Sequence, residues 1–124
     1  MRKPQRLTAS LMLCFSAAAM ADPSAYVAFD DPALKEGRTV WLGTCESCHG
    51  YGIAGAPIPM EPDQWAPRLK QEKSVLYDHA INGFFGPDDT MMPERGGNPE
   101  LSDEQVKAAV DYMTALARHY IDKQ

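Results

Sequence analysis

Cys45, Cys48 and His49 carry the strongest chemical signal in the chain, in the order Cys45-Glu46-Ser47-Cys48-His49. Two thiols about one helical turn apart can each add to one vinyl group of the same porphyrin. A histidine directly after them lies under the ring, where an imidazole nitrogen can bind iron. C-x-x-C-H is therefore the pattern of covalent haem attachment. A disulfide is the plainer expectation for two cysteines in an oxidising compartment. A thiol-redox pair would sit at a strand-to-helix junction in a larger α/β pattern, which the surrounding sequence lacks. Zinc would need two further ligands, and no second cysteine pair or His-x-His grouping supplies them.

These residues need elements to hold them. Asp31 suits an N-cap and Pro32 the first helical position. Leu34, Gly37, Trp41 and Cys45 then recur at three- and four-residue steps, which places them on one helix face. Gly37 leaves that face bare for another helix. Near the other end, Ser102 and Gln105 form a capping box and Leu101 can staple to Val106. Val106, Ala109, Val110, Met113, Ala117 and Tyr120 follow as an apolar stripe. Acidic residues lead this helix, and Arg118, His119 and Lys123 trail it, as the helix dipole favours. A third helix is expected over Ser74–Asn82, stopped by Gly83. Segments 50–62 and 83–99 are rich in Pro and Gly and read as irregular loops without strands. Such a chain has a thin core, and a buried haem would serve as its staple.

The chain has 124 residues, enough for one domain. Arg2, Lys3 and Arg6, the apolar run Leu7–Met20 and Ala19-Met20-Ala21 read as an export signal over 1–21, cleaved before Asp22. The run is short for a membrane anchor. Leu13 is too bulky ahead of Cys14 for a lipoprotein. Residues 22–30 read as a loosely held lead-in and 31–124 as the folded domain. Cleavage leaves 9 basic against 17 acidic side chains, a net charge of −8. Nucleic acid is excluded as a partner by repulsion from its phosphates. A basic protein surface would be favoured.

The order of several segments is more specific than the cysteine motif. Gly37, Trp41 and CESCH are followed by GIAGAP (52–57), WAPRL (65–69), LYDHAINGFFG (76–86), MMPERGG (91–97) and LSDEQVKAAVDYM (101–113). Over nearly all of residues 34–116 the chain resembles class I cytochromes c, specifically the cytochrome c5 group. The resemblance implies an all-α cytochrome c fold, with first and last helices crossing around one covalent haem and Gly37 set against Tyr112. Spacing alone leaves the sixth iron ligand open. The resemblance supplies it as a methionine ahead of proline, which Met92 matches, with Met91 as competitor. Met60 is close to His49 in sequence, Met113 is expected in the helix core, and His79 and His119 are expected to be solvated or hydrogen-bonded. The resemblance also implies a backbone carbonyl at Pro57 that orients His49, and Trp65 and Arg68 against the haem and its propionates. Tyr77, Ile81 and Phe84 or Phe85 are expected to line the pocket. Some relatives carry an extra cysteine pair before the last helix. Here Asn98 and Ser102 stand in that region, so the loop is expected to be less constrained.

These residues imply a periplasmic, non-enzymatic carrier of single electrons in a respiratory chain. It would hold one haem c and its iron, exchange electrons with a redox-protein donor and acceptor, and have no membrane span after cleavage. His and Met at both axial positions would leave no site for substrate. Two other roles keep the same haem: a subunit of a larger periplasmic oxidoreductase, or a sensor or peroxidase with a labile sixth ligand. The sequence leaves donor, acceptor, reduction potential and oligomeric state open.

Overall fold

Helix α1 spans Pro32–Val40, capped by the Asp31 carboxylate, which accepts from Ala33 N at 2.9 Å. In this computed structural model, which describes residues 23–124, the helix runs on without a break. The leader expected over 1–21 and Cys14 lie outside the described residues. At Trp41–Cys45 the turn widens to a π-helical one, with Glu46 N–H reaching back to Trp41 O, before α2 resumes over Glu46–His49. A π turn holds one residue more than an α turn and re-aims the next helical segment. The regular three- and four-residue repeat expected from Leu34 to Cys45 is therefore interrupted. Trp41 is fully buried in the core, whereas Cys45 is half-buried and Cys48 exposed.

Short helix α3, Pro62–Trp65, precedes α4, Lys73–Asn82, which begins one residue ahead of the expected start. Gly83, at φ 84°, ends α4 as expected. Segment 83–99 departs from the loop expected there. Strands β1, Phe84–Phe85, and β2, Met91–Met92, pair antiparallel, Phe84 opposite Met92 and Phe85 opposite Met91. The local pattern is too short to show strands. The hairpin is closed by Gly86 N to Thr90 O at 2.8 Å, with Asp88 and Asp89 in left-handed conformation at its tip. Asp is among the residues that tolerate that region.

Helix α5, Asp103–Ile121, opens with the expected capping box: Ser102 Oγ accepts from Gln105 N at 3.2 Å, and Ser102 N donates to Gln105 Oε1 at 3.0 Å. It crosses α1 at Gly37. A Cβ there would overlap the Ala108 carbonyl oxygen and come within 2.9 Å of Tyr112 Cβ. One core cluster joins Tyr26, Trp41, Trp65, Tyr112, Met113, Leu116 and Ala117. A second joins Ala80, Val106 and Val110, with Leu76, Tyr77, Ile81, Met92 and Leu101 against it. The buried face of α5 is wider than the expected stripe, because α1 and α4 cover different sides of it.

The lead-in is not loosely held. Tyr26 is 3% exposed and belongs to the core. Arg38 Nε donates to Tyr26 O (3.0 Å), Tyr112 OH to Val27 O (3.0 Å) and Tyr120 OH to Ala25 O (2.9 Å). Side chains of the two crossing helices thus satisfy the carbonyls of a strap made of one 3-10 turn, Pro23–Ala25, and the irregular chain after it. No local periodicity could announce it. Among the described residues no helix is long and apolar enough to cross a membrane.

Candidate cofactor site

Helix α2 and the π turn set Cys45, Cys48 and His49 in the wall of a cavity of about 430 Å³, a size suited to an organic cofactor. His49 is buried, and its Nδ1 lies 2.9 Å from Pro57 O. A carbonyl only accepts, so Nδ1 carries the proton and Nε2 keeps its lone pair. Burial holds the imidazole pKa below its ordinary value. The Pro57 carbonyl opposes this, and the charge of Arg68 adds to it. A neutral imidazole is the form that binds metal.

Both cysteines are free thiols. Burial, then the neighbouring Cys48, pushes Cys45 up to about 11. Among the described residues no group of three or more His, Cys, Asp or Glu side chains is placed to hold a metal ion.

The loop between α2 and α3 brings Pro57 to His49. It turns through left-handed Gly52, Ala54 and Gly55, and Ile58 N donates to Gln64 Oε1 of α3 at 2.9 Å. Trp65 ends α3, is 4% exposed, lines the cavity, and has no acceptor for its Nε1–H. Arg68 lines the same cavity, half-buried. Its Nη1 donates to Gln64 O, and no carboxylate pairs with it among the described residues. Burial lowers its pKa. An unpaired indole N–H and an unpaired guanidinium beside an apolar cavity form a donor set for a carboxylate. Two thiols, an imidazole with a free Nε2 and this donor set fit one haem with its propionates.

Met92 and Met91 of β2 both line the cavity, and neighbouring residues of a strand point to opposite faces. Met92 is half-buried against the second core cluster, whereas Met91 is 49% exposed. Met113 is in the core, as expected, and also lines the cavity. Met60 packs on the first cluster instead. His79 stacks on Phe84 with ring centroids 3.9 Å apart and reaches the cavity. His119 packs against Phe29 and Tyr120.

Of the aromatic and aliphatic residues expected along α4 and β1, Phe84 lines the cavity. Tyr77, Ile81 and Phe85 do not. Tyr77 OH donates to Asp111 Oδ1 at 2.6 Å, and Phe85 is 84% exposed. Leu76 and Ala80 take that place, because the adjacent positions 77 and 81 are turned to another side of the helix. Sequence reasoning also missed Ala54, Thr90, Arg95 and Gly96 in the cavity wall. The consecutive Gly96 and Gly97 were the available signal of a left-handed turn. The loop expected to be slack is pinned. Asn98 Nδ2 donates to Thr44 Oγ1 (3.2 Å), Arg95 Nη1 to Leu101 O (3.0 Å), and Arg95 Nη2 pairs with Asp103 Oδ1 (2.6 Å).

Comparison with known proteins places relatives on this geometry. The family described as cytochrome C oxidase, cbb3-type, subunit III matches residues 32–113. The chain is 41% identical over 83 residues to cytochrome c-555 of Prosthecochloris aestuarii, covering 64% of this chain and 84% of that one. It is 38% identical over 82 residues to cytochrome c-555 of Chlorobaculum tepidum, covering 66% and 75%. With cytochrome c5 of Azotobacter vinelandii it shares 27% over 84 residues, covering 66% and 95%. Among solved structures it resembles a chain of an electron-transfer complex of nitrite reductase with cytochrome c. The TM-score is 0.59 and the identity 35%, over 71% of this chain and 98% of that one.

Proposed function

Because the chain belongs to the cytochrome c family, as a class I mono-haem electron carrier, we propose that Cys45 and Cys48 tether its haem while His49 and Met92 bind the iron. When bound, haem iron supplies a one-electron ferric/ferrous couple. The protein's own residues do the rest. His49 presents Nε2, held in orientation by the Pro57 carbonyl on Nδ1. Met92 presents a soft thioether, which favours the ferrous state. Trp65 and Arg68 would donate to the haem carboxylates, and the apolar walls would exclude water. With His49 and Met92 both holding the iron, no ligand position would be left for a substrate, so the chain would act without catalysing a reaction itself.

One observation carries this reading: a buried imidazole with its Nδ1 committed and Nε2 free shares a cavity with two free thiols and a half-buried methionine. The folded domain takes in the strap, which the helices bind at Ala25, Tyr26 and Val27, and residues 1–21 act as a leader that delivers the chain to the periplasm. Donor and acceptor are redox proteins there. The solved complex of a similar cytochrome c with nitrite reductase supports a redox enzyme as one of them.

The test is the absorption spectrum of protein made with haem-attachment machinery. A split low-spin reduced spectrum, with pigment surviving acid-acetone extraction, is expected. Met92→Ala should abolish the ferric methionine–iron charge-transfer band, and Met91→Ala should keep it. The reverse result would reassign the sixth ligand to Met91. Carbon monoxide binding by the reduced wild-type protein at neutral pH would overturn the carrier role.

A further inference from the structure

After Met92 the chain passes Pro93 and Glu94 and then takes three successive left-handed residues, Arg95 (φ 54°), Gly96 (φ 63°) and Gly97 (φ 81°). Glycine adopts this region freely. Arginine does so against its Cβ, and persists there only when its surroundings compensate. The compensation is specific. The guanidinium turns back over its own loop and forks onto the start of α5, with Nη1 on Leu101 O at 3.0 Å and Nη2 on Asp103 Oδ1 at 2.6 Å. The Arg95 side chain is 25% exposed and that of Asp103 56%, so it is the guanidinium end of the pair that is shielded from solvent. Leu101 precedes the N-cap Ser102, and Asp103 is the first helical residue. The same loop is tied by Asn98 to Thr44, the residue before Cys45.

We propose that Arg95 is a positioning residue for the sixth ligand. It clamps the loop that carries Met92 to the N-terminus of α5, while Asn98 ties that loop to the segment that carries the cysteines and His49. This rests on the assignment of Met92 above. A neutral thioether is a weak ligand, so its retention depends on how little freedom its loop has to carry it away. Here a charged fork supplies that restraint without a covalent cross-link.

The holoprotein tests it through Arg95→Gly, Arg95→Lys and Asp103→Asn. Glycine relieves the backbone at this position, so loss of the clamp is not confused with failure to fold. Three readouts are taken: the ferric methionine–iron band and the far-ultraviolet helix signal along one denaturant titration, and amide exchange at Gly96, Asn98 and Leu101. These amides close the loop onto Pro93, Arg95 and Asn98 carbonyls. In Arg95→Gly the band should vanish at lower denaturant while the helix midpoint moves little, and the three amides should exchange about tenfold faster. Asp103→Asn should shift both in the same direction by less. Arg95→Lys, which keeps an ion pair but not the fork, should fall between. The proposal is overturned if Arg95→Gly keeps the band and the exchange rates of wild type, or if band and helix are lost together. Should Met92→Ala leave the band intact, the ligand assignment fails, and amide exchange still decides whether Arg95 clamps the loop.

Discussion

Trp41 and Trp65 each bury an indole N–H with no acceptor in the protein, and the two differ in surroundings. Trp65 lines the cavity. Trp41 sits among the rings of Tyr26 (5.5 Å), Tyr112 (6.2 Å) and His49 (6.4 Å), and nothing in the structure supplies its N–H with a partner. A buried polar group without a partner costs about 1–3 kcal/mol. A haem carboxylate beside Trp65 would remove that cost on one side of the site. Trp65→Phe should therefore destabilise the holoprotein by about 1–3 kcal/mol in denaturant titrations. It should also lower the reduction potential, since a carboxylate that loses its donor leaves more negative charge acting on the iron. An unchanged potential would mean that Trp65 only fills space. At this scale Cys45, Cys48 and His49 were legible because their spacing is itself chemical. The roles of Leu76 and Ala80 in place of Tyr77 and Ile81 were not, because residue type does not say which side of a helix meets the cavity.

The crossing of α1 and α5 depends on the missing side chain at Gly37. A Cβ there meets backbone at Ala108 rather than the flexible end of a side chain, so the helices must separate. Gly37→Ala should cost about 3 kcal/mol by chemical denaturation, despite alanine's higher helix propensity. A loss below about 1 kcal/mol would mean that the helices slide to admit a methyl group. The caps of α1 and α5 and the stop of α4 were readable because each is local: a side chain meets a backbone group two or three residues away. The π turn at Trp41–Cys45 and the two-residue hairpin were not. Both are held by contacts with other parts of the fold: Thr90 of the hairpin leaves no room for a Cβ at Gly55 in the loop after α2, and Thr44 of the π turn accepts from Asn98.

The whole molecule is an anion. The net charge is −5 over the full chain and −8 over residues 22–124, before any haem carboxylates, and this governs how fast it meets a partner more than how it folds. Electron exchange of the holoprotein with a small cationic complex should slow several-fold as ionic strength rises from about 0.01 to about 0.3 M, and exchange with an anionic complex should accelerate. Stopped-flow rates at several salt concentrations check this. Equal slopes for the two reagents would show that the local field at the transfer site differs from that of the molecule as a whole.

The sequence alone determined the haem-binding motif, the helix caps, the bare face at Gly37 and the acidic charge. Each of these is set by residue type at short range. Only the tertiary structure decided that residues 23–29 form a strap, that Leu76 and Ala80 face the cavity, and that Arg95 closes back on α5. Those features join groups far apart in the chain, or depend on which face of an element is covered, and no local pattern encodes either.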